Sequence, residues 1–384
     1  MRVKLKEAFD LQMGKTPARN NAEFWDGTHK WISIADLGNA GKYINNTKER
    51  ISDEGVEASG IKKVPKGTVI MSFKLSIGKT AITSEDMYTN EAIMAFLNKR
   101  TYEIDVDYLY HLCCGTNWGA GTNKAVMGLT LNKATLSEYE IELPDISEQR
   151  EIARKLDKLD SIIVRRKAQL VSLEELVKSR FIELFGDPVH NNKEWTTDSV
   201  ERLCKEIYGG GTPSKSHPEY YENGNIPWVS SKDMKTDILM DSQIHINEEG
   251  VANSTARMVP ENSVIMVIRS GILKHTLPVA INAVPITVNQ DLKVFIPGNR
   301  VITRFLAYQF KMLESDILSG VRAVTADNIE FDSLKKRKLI VPPMELQQQF
   351  AAFVAQVDKS KVAVQKALDE TQMLFDSLMQ KYFA

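Results

Sequence analysis

Residues 209–234 read GGGTPSKSHPEYYENGNIPWVSSKDM, and residues 14–37 read GKTPARNNAEFWDGTHKWISIADL. They are one pattern written twice. Thr16-Pro17 matches Thr212-Pro213, Arg19 matches Lys215, Glu23 matches Glu219, and Phe24-Trp25 matches Tyr220-Tyr221. After one inserted residue, Trp31-Ile32-Ser33 matches Trp228-Val229-Ser230, and Asp36-Leu37 matches Asp233-Met234. Further on, EGVEASGIKKVPKGTVIM (54–71) pairs with EGVANSTARMVPENSVIM (249–266) at an offset of 195. TNEAIMAF (89–96) is similar to VNQDLKVF (288–295), and LPDISEQ (143–149) pairs with VPPMELQ (341–347) at an offset of 198. An offset that drifts so little over half the chain marks an internal duplication.

Each half therefore has one plan. It opens on a glycine/Thr-Pro loop and continues through a mixed region of short β-branched strands, such as GTVIMSF and SVIMVIR, bounded by Pro, Gly and Asn. It ends in a long charged helix. In 147–185, spacings of four and three pick out Ile152, Leu156, Leu159, Ile163, Arg166, Leu170, Leu173, Val177, Arg180 and Leu184. The second half gives Phe350, Val354, Val357, Lys361, Val364, Leu368, Thr371, Phe375, Leu378 and Tyr382. Mostly apolar positions flanked by Lys, Arg and Glu are a heptad seam. Ser147 is the expected N-cap of the first helix, and Gly186-Asp187-Pro188 its stop. A narrow stripe on a rod of roughly 58 Å needs a partner, and the other helix is the nearest one. The expected fold is α+β: two duplicated β-rich domains (1–146 and 186–343) joined by two long antiparallel coiled-coil helices (147–185 and 344–384) in a pseudo-twofold arrangement. Two separate helices, each packed on its own domain, are the alternative.

The totals narrow the function. The chain has 384 residues, 43% apolar and 26% charged, within the ordinary globular range. No apolar run approaches the ~18 residues of a membrane helix, the opening MRVKLKEAFD lacks a signal-peptide core, and Cys113, Cys114 and Cys204 form no disulfide framework. A reduced, cytoplasmic setting follows as the expectation, with no membrane partner. Net charge is −1, and residues 1–146 and 186–343 each carry 18 Lys+Arg against 19 Asp+Glu. Any nucleic-acid contact must then come from local patches.

Catalytic motifs are missing. Gly-Lys-Thr occurs at 14–16 and 78–80, but Phe9 and Phe73 stand where a phosphate loop needs its first glycine. No Asn-Pro-Pro-aromatic tetrapeptide of an amino-methyltransferase is present, and the six histidines form no metal-ligand spacing. No catalytic residue, metal site or cofactor of its own is expected.

A duplicated domain on a rigid spacer suits a ligand read at two separated places. Double-stranded DNA, repeating about every 34 Å, is the natural candidate. Thr16, Arg19 and Asn20 in the first half, and Thr212, Ser214, Lys215, Ser216 and His217 in the second, are placed in the loops to reach phosphates or base edges. Asn90, Asn289 and Gln290 carry amides that suit an adenine edge, or are structural amides. Lys74, Lys79, Arg269 and Lys274 stand at the strand ends. Trp31 and Trp228 read as core. The unrepeated run Lys335-Lys336-Arg337-Lys338 is either a solvated face or a phosphate contact of the second half. A coiled-coil scaffold whose duplicated domains bind protein, with no DNA role, is the competing reading.

Thr-Pro after glycine, aromatics before a short gap, Pro-Trp-Val-Ser with a following Asp, Pro-x-x-x-x-Gln before a long helix and SRFIELFGDP at its end together resemble the specificity subunits of Type I restriction–modification systems. The resemblance covers nearly the whole chain. It implies two target-recognition domains, each reading one half of a split DNA sequence, with the helices setting the gap. It implies a non-catalytic subunit on which two methyltransferase subunits and ATP-dependent restriction subunits assemble. S-adenosylmethionine and ATP/Mg would be used by those partners. The two loops differ: Gly14-Lys15 stands against three glycines, and His29-Lys30 against Ile226-Pro227. Different half-sites and an asymmetric target follow.

Overall fold

The structure is a computed structural model that describes residues 1–74, 76–118, 131–320, 322–323 and 327–383. Ala384, the last residue of the expected C-terminal helix, lies outside the described residues. The chain forms two compact units, Met1–Ala168 with Gln365–Ala384, and Gln169–Val364.

The first unit holds a five-stranded sheet in the order Phe9–Met13, Ile93–Asn98, Val69–Ser72, Thr80–Thr83, Tyr43–Ile44. The pairs are antiparallel except the last, which is parallel. Beside it a three-stranded sheet runs Glu49–Ile51, Trp25–Ile32, Tyr88–Thr89, antiparallel then parallel. Val69–Ser72 is buried along its whole length, as a Val-Ile-Met run between neighbours on both edges requires. The helix Val106–Gly115 contributes Tyr108, Leu109, Leu112 and Cys113 to the same core.

The second unit repeats this sheet plan. Its sheet runs Cys204–Gly209, Leu292–Pro297, Val264–Val267, Val279–Asn282, Ile238–Leu239, with the same directions. Its smaller sheet runs His245–Ile246, Ile226–Val229, Thr287–Val288. Phe305, Leu306 and Phe310 of the helix Thr303–Met312 fill its core. Among the described residues no helix is long and apolar enough to cross a membrane.

Two 40-residue helices, Ile146–Phe185 and Met344–Phe383, complete the fold. The predicted seam is real. Ile152, Leu156, Ile163 and Val177 are buried, as are Phe350, Val354, Val357 and Leu368, while Leu159, Leu170, Leu173, Val364, Phe375 and Leu378 are half-buried. In the first unit Arg166 donates to the Ala367 carbonyl and the Thr371 hydroxyl, so the polar seam positions meet one another. In the second unit Lys361 lies 3.6 Å from Glu174, and the Phe181 and Phe350 rings pack at 5.5 Å. Numbers rise on one helix as they fall on the other, so the pair is antiparallel. The N-cap differs from the expectation: Asp145 Oδ1 accepts the Glu148 N–H at 2.9 Å, so the cap lies two residues before Ser147. The stop is as expected, with Gly186 in the left-handed region and its N–H on the Ile182 carbonyl.

Gln149 and Gln347 explain why Pro-x-x-x-x-Gln precedes each helix. Gln149 Oε1 accepts the Asp105 N–H at 2.9 Å, and its Nε2 donates to the Glu103 and Pro144 carbonyls. Gln347 does the same with the Ile302 N–H at 3.0 Å and the Arg300 and Pro342 carbonyls. One buried amide thus satisfies three backbone groups and ties each helix start to its own sheet domain.

Candidate nucleic-acid interface

The glycine/Thr-Pro loops follow the edge strands of the main sheets. Their glycines serve close packing within the protein. A Cβ on Gly14 would stand 2.0 Å from the Thr89 carbonyl oxygen, and one on Gly210 would stand 1.8 Å from that of Val288. Trp31 Nε1 donates to the Lys15 carbonyl and Trp228 Nε1 to the Gly211 carbonyl, each at 2.9 Å. Both indoles are buried, so they anchor the loops from the core side. The tip after the second loop is exposed: Lys215 stands there with Ser214 and Ser216, whose hydroxyls lie 2.6 Å apart.

The structure brings the loop to the turn after the smaller sheet. Thr16 donates to the Glu91 carboxylate, and at the matching place Thr212 donates to the Gln290 amide oxygen. Asn90 Oδ1 accepts the Ala92 N–H at 2.9 Å, and Asn289 Oδ1 accepts the Asp291 N–H at 3.1 Å. Both asparagines therefore shape a turn, and Asn289 is only 7% exposed. Arg19 forms a two-bonded pair with Glu49 and lies 3.9 Å over the Trp25 ring, which cancels its charge locally. Asn20 is exposed beside it. Lys74 Nζ lies 5.3 Å from the Phe73 ring, Lys79 is exposed, and Lys274 closes the short turn Gly271–Lys274. His217 stacks on Tyr220 at 5.0 Å and bonds Glu219 at 2.8 Å.

The second unit adds Asp291 and Lys293 to that set. Arg269 pairs with Asp291, and Lys293 and Lys335 reach the same Phe331 ring at 4.5 and 5.0 Å. Burial lowers the Lys293 ammonium, and repulsion from Lys335 and Arg269 lowers it further. Lys293 also packs on Gly209, where a Cβ would stand 2.5 Å from its Nζ and the lysine end would have to shift. Next to this cluster lies a recess of about 570 Å³, lined by Lys215, Tyr221, Trp228, Ser231, Lys232 and Asp291 among others. The signal was present in the duplication: Asp291 and Lys293 stand where the first copy has Ala92 and Met94. The basic run divides, because Arg337 turns to Asp316 while Lys336 and Lys338 remain exposed. In the first unit the corresponding Glu138 pairs with Lys4 and Lys6. Among the described residues no group of three or more His, Cys, Asp or Glu is placed to hold a metal ion.

Comparison with known proteins agrees with the duplication. Residues 1–174 and 192–371 both match the family described as Type I restriction modification DNA specificity domain. The EcoR124I/EcoR124II specificity subunit of Escherichia coli is 34% identical over 215 residues, 55% of this chain and 52% of that protein. The chain thus aligns to about half the length of that relative. The MjaIX specificity subunit of Methanocaldococcus jannaschii is 24% identical over 400 residues, 98% of this chain and 91% of that protein. Among solved structures, a chain from a type I restriction–modification system matches with a TM-score of 0.63 at 18% identity, covering 100% of this chain and 97% of its own. The S subunit of such a system from M. genitalium matches at 0.59 and 14%, covering 100% and 96%. The fold is shared with both. With two copies of the domain, each on the same sheet plan, the chain belongs to the Type I restriction modification DNA specificity family.

Proposed function

We propose that this chain is the DNA-recognition subunit of a Type I restriction–modification assembly. It binds an asymmetric bipartite target in double-stranded DNA and directs adenine methylation and restriction by its partners. The observation that carries this reading is the double family match on two copies of one loop-and-sheet plan that differ in charge at matching places. The second copy has Lys293 and Lys336 where the first has Met94 and Glu138, and Gln290 where the first has Glu91. Each copy would then read its own half-site, with Lys and Arg on phosphates and the loop side chains toward base edges.

The long helices act as the spacer in this reading. At ~1.5 Å per residue, each is about 60 Å long, more than one turn of DNA. Apolar residues outside the seam support docking of other subunits on them: Val164 and Met373 in the first unit are 58% and 72% exposed, and Val362 in the second is 70% exposed. The partners are two methyltransferase subunits, which use S-adenosylmethionine, and restriction subunits, which use ATP and Mg. Chemistry belongs to them and recognition to this chain. A balanced net charge fits a subunit that binds DNA weakly alone and tightly, with steep salt dependence, inside the assembly.

A domain exchange tests the reading. Residues 186–343 are replaced by the matching segment of another family member, and the methylated sequence is mapped for the methyltransferase complex. One half-site changes while the other half-site and the gap persist. An unchanged sequence, or a change in both half-sites, refutes it.

A further inference from the structure

Arg269 is held more firmly than an exposed arginine needs to be. Its backbone N–H and that of Ile268 donate to the Asp291 carbonyl at 3.3 and 2.9 Å. Its Nε and Nη2 lie 2.7 and 2.6 Å from Asp291 Oδ1. The other carboxylate oxygen accepts from Asn289 Nδ2 at 3.2 Å, and Asn289 is itself buried. The carboxylate is thus fixed from behind, and it fixes the guanidinium plane in turn. The Arg269 side chain remains 48% exposed, which leaves the donors that Asp291 does not use open to a ligand. Lys293, Lys335 and the recess beside Asp291 surround this fork with positive charge and open space.

We propose that Arg269 reads a guanine in the second half-site, and that Asp291 is its positioning residue. The inference rests on the DNA-recognition reading above. Guanine presents two acceptors, O6 and N7, in the major groove, and a planar arginine fork meets both. A flexible arginine loses rotamer freedom on binding, and the Asp291 contact removes most of that freedom beforehand. An exposed ion pair adds little to folding, which leaves recognition as the use for so constrained a group. The first copy is built differently: Lys74 and Ala92 occupy the two places. An ammonium is a point charge without the fork, and Ala92 offers no carboxylate at the Asp291 place to orient it. The guanine preference therefore belongs to one half-site only.

The test uses the assembled methyltransferase complex and a genome-wide N6-methyladenine map. Asp291→Ala and Arg269→Lys each import the residue of the first copy. Both variants retain the wild-type first half-site and gap, and lose preference for guanine at one position of the second half-site by about 10–100-fold. An unchanged second half-site in both variants overturns the inference and leaves the DNA-recognition reading intact. A uniform loss of methylation at all sites, with the complex still assembled, also overturns it, because a purely structural role predicts that result. A wild-type complex that methylates no bipartite motif overturns the reading itself and this inference with it.

Discussion

Replacing Gln347 by Ala removes one side chain and strands three backbone groups. Gln347 is fully buried, its Oε1 accepts the Ile302 N–H at 3.0 Å, and its Nε2 donates to the carbonyls of Arg300 and Pro342 at 3.0 and 2.9 Å. A buried donor left without an acceptor costs about 1–3 kcal/mol, and each carbonyl that loses its donor adds roughly 0.5–1 kcal/mol. The expected loss is about 2–5 kcal/mol. Gln348 is the internal control, since it is exposed on the same turn and its replacement by Ala should change stability by less than about 0.5 kcal/mol. Urea titration followed by circular dichroism gives both values from the shift in midpoint at constant slope. Gln149→Ala repeats the experiment in the first unit, where the bonds to Asp105, Glu103 and Pro144 are the same. Equal midpoints for Gln347→Ala and Gln348→Ala would refute the idea that this amide holds the helix start to its domain.

Gly210→Ala forces a Cβ to within 1.8 Å of the Val288 carbonyl oxygen and should cost roughly 2–4 kcal/mol, whereas Gly271→Ala, which meets nothing within 4 Å, should be near neutral; similar thermal midpoints for the two would count against the packing role. Burial holds His111 below the usual histidine range despite its 2.8 Å bond to Asp157 and the nearby Asp160, while Lys42 pushes the same way as burial. The unfolded state then binds the proton more readily, so stability should fall as pH drops below ~6.5. His111→Gln should flatten that decline between pH 7.5 and 5.5, and an unchanged slope in the variant would show that another group is responsible.

The duplication made most of the fold legible before any coordinates. Two weak readings at matching places support each other, and the heptad seam from Ile152 to Leu184 needed only periodicity. Local capping was less legible. Ser147 and Asp145 are both good caps, and the choice depends on where Pro144 releases the chain. The candidate interface was legible in place more than in role. The loop glycines are needed for close packing on the protein's own Val288 and Thr89 carbonyls, which no local pattern shows. Arg19, a candidate DNA contact in the sequence, also pairs with Glu49, a partner 30 residues away that no local pattern links to it. Asp291 and Lys293 were visible as differences between copies, but a search for shared residues passes over what only one copy has.

Under the proposed function, two unlike copies of one domain read two unlike half-sites. The direct measurement is a map of N6-methyladenine in cells that carry this chain with its methyltransferase subunit and no other adenine methylation. Two unlike recognition domains should give one bipartite motif with two different halves and a fixed gap. A palindromic motif, or no motif from a verified complex, would contradict it.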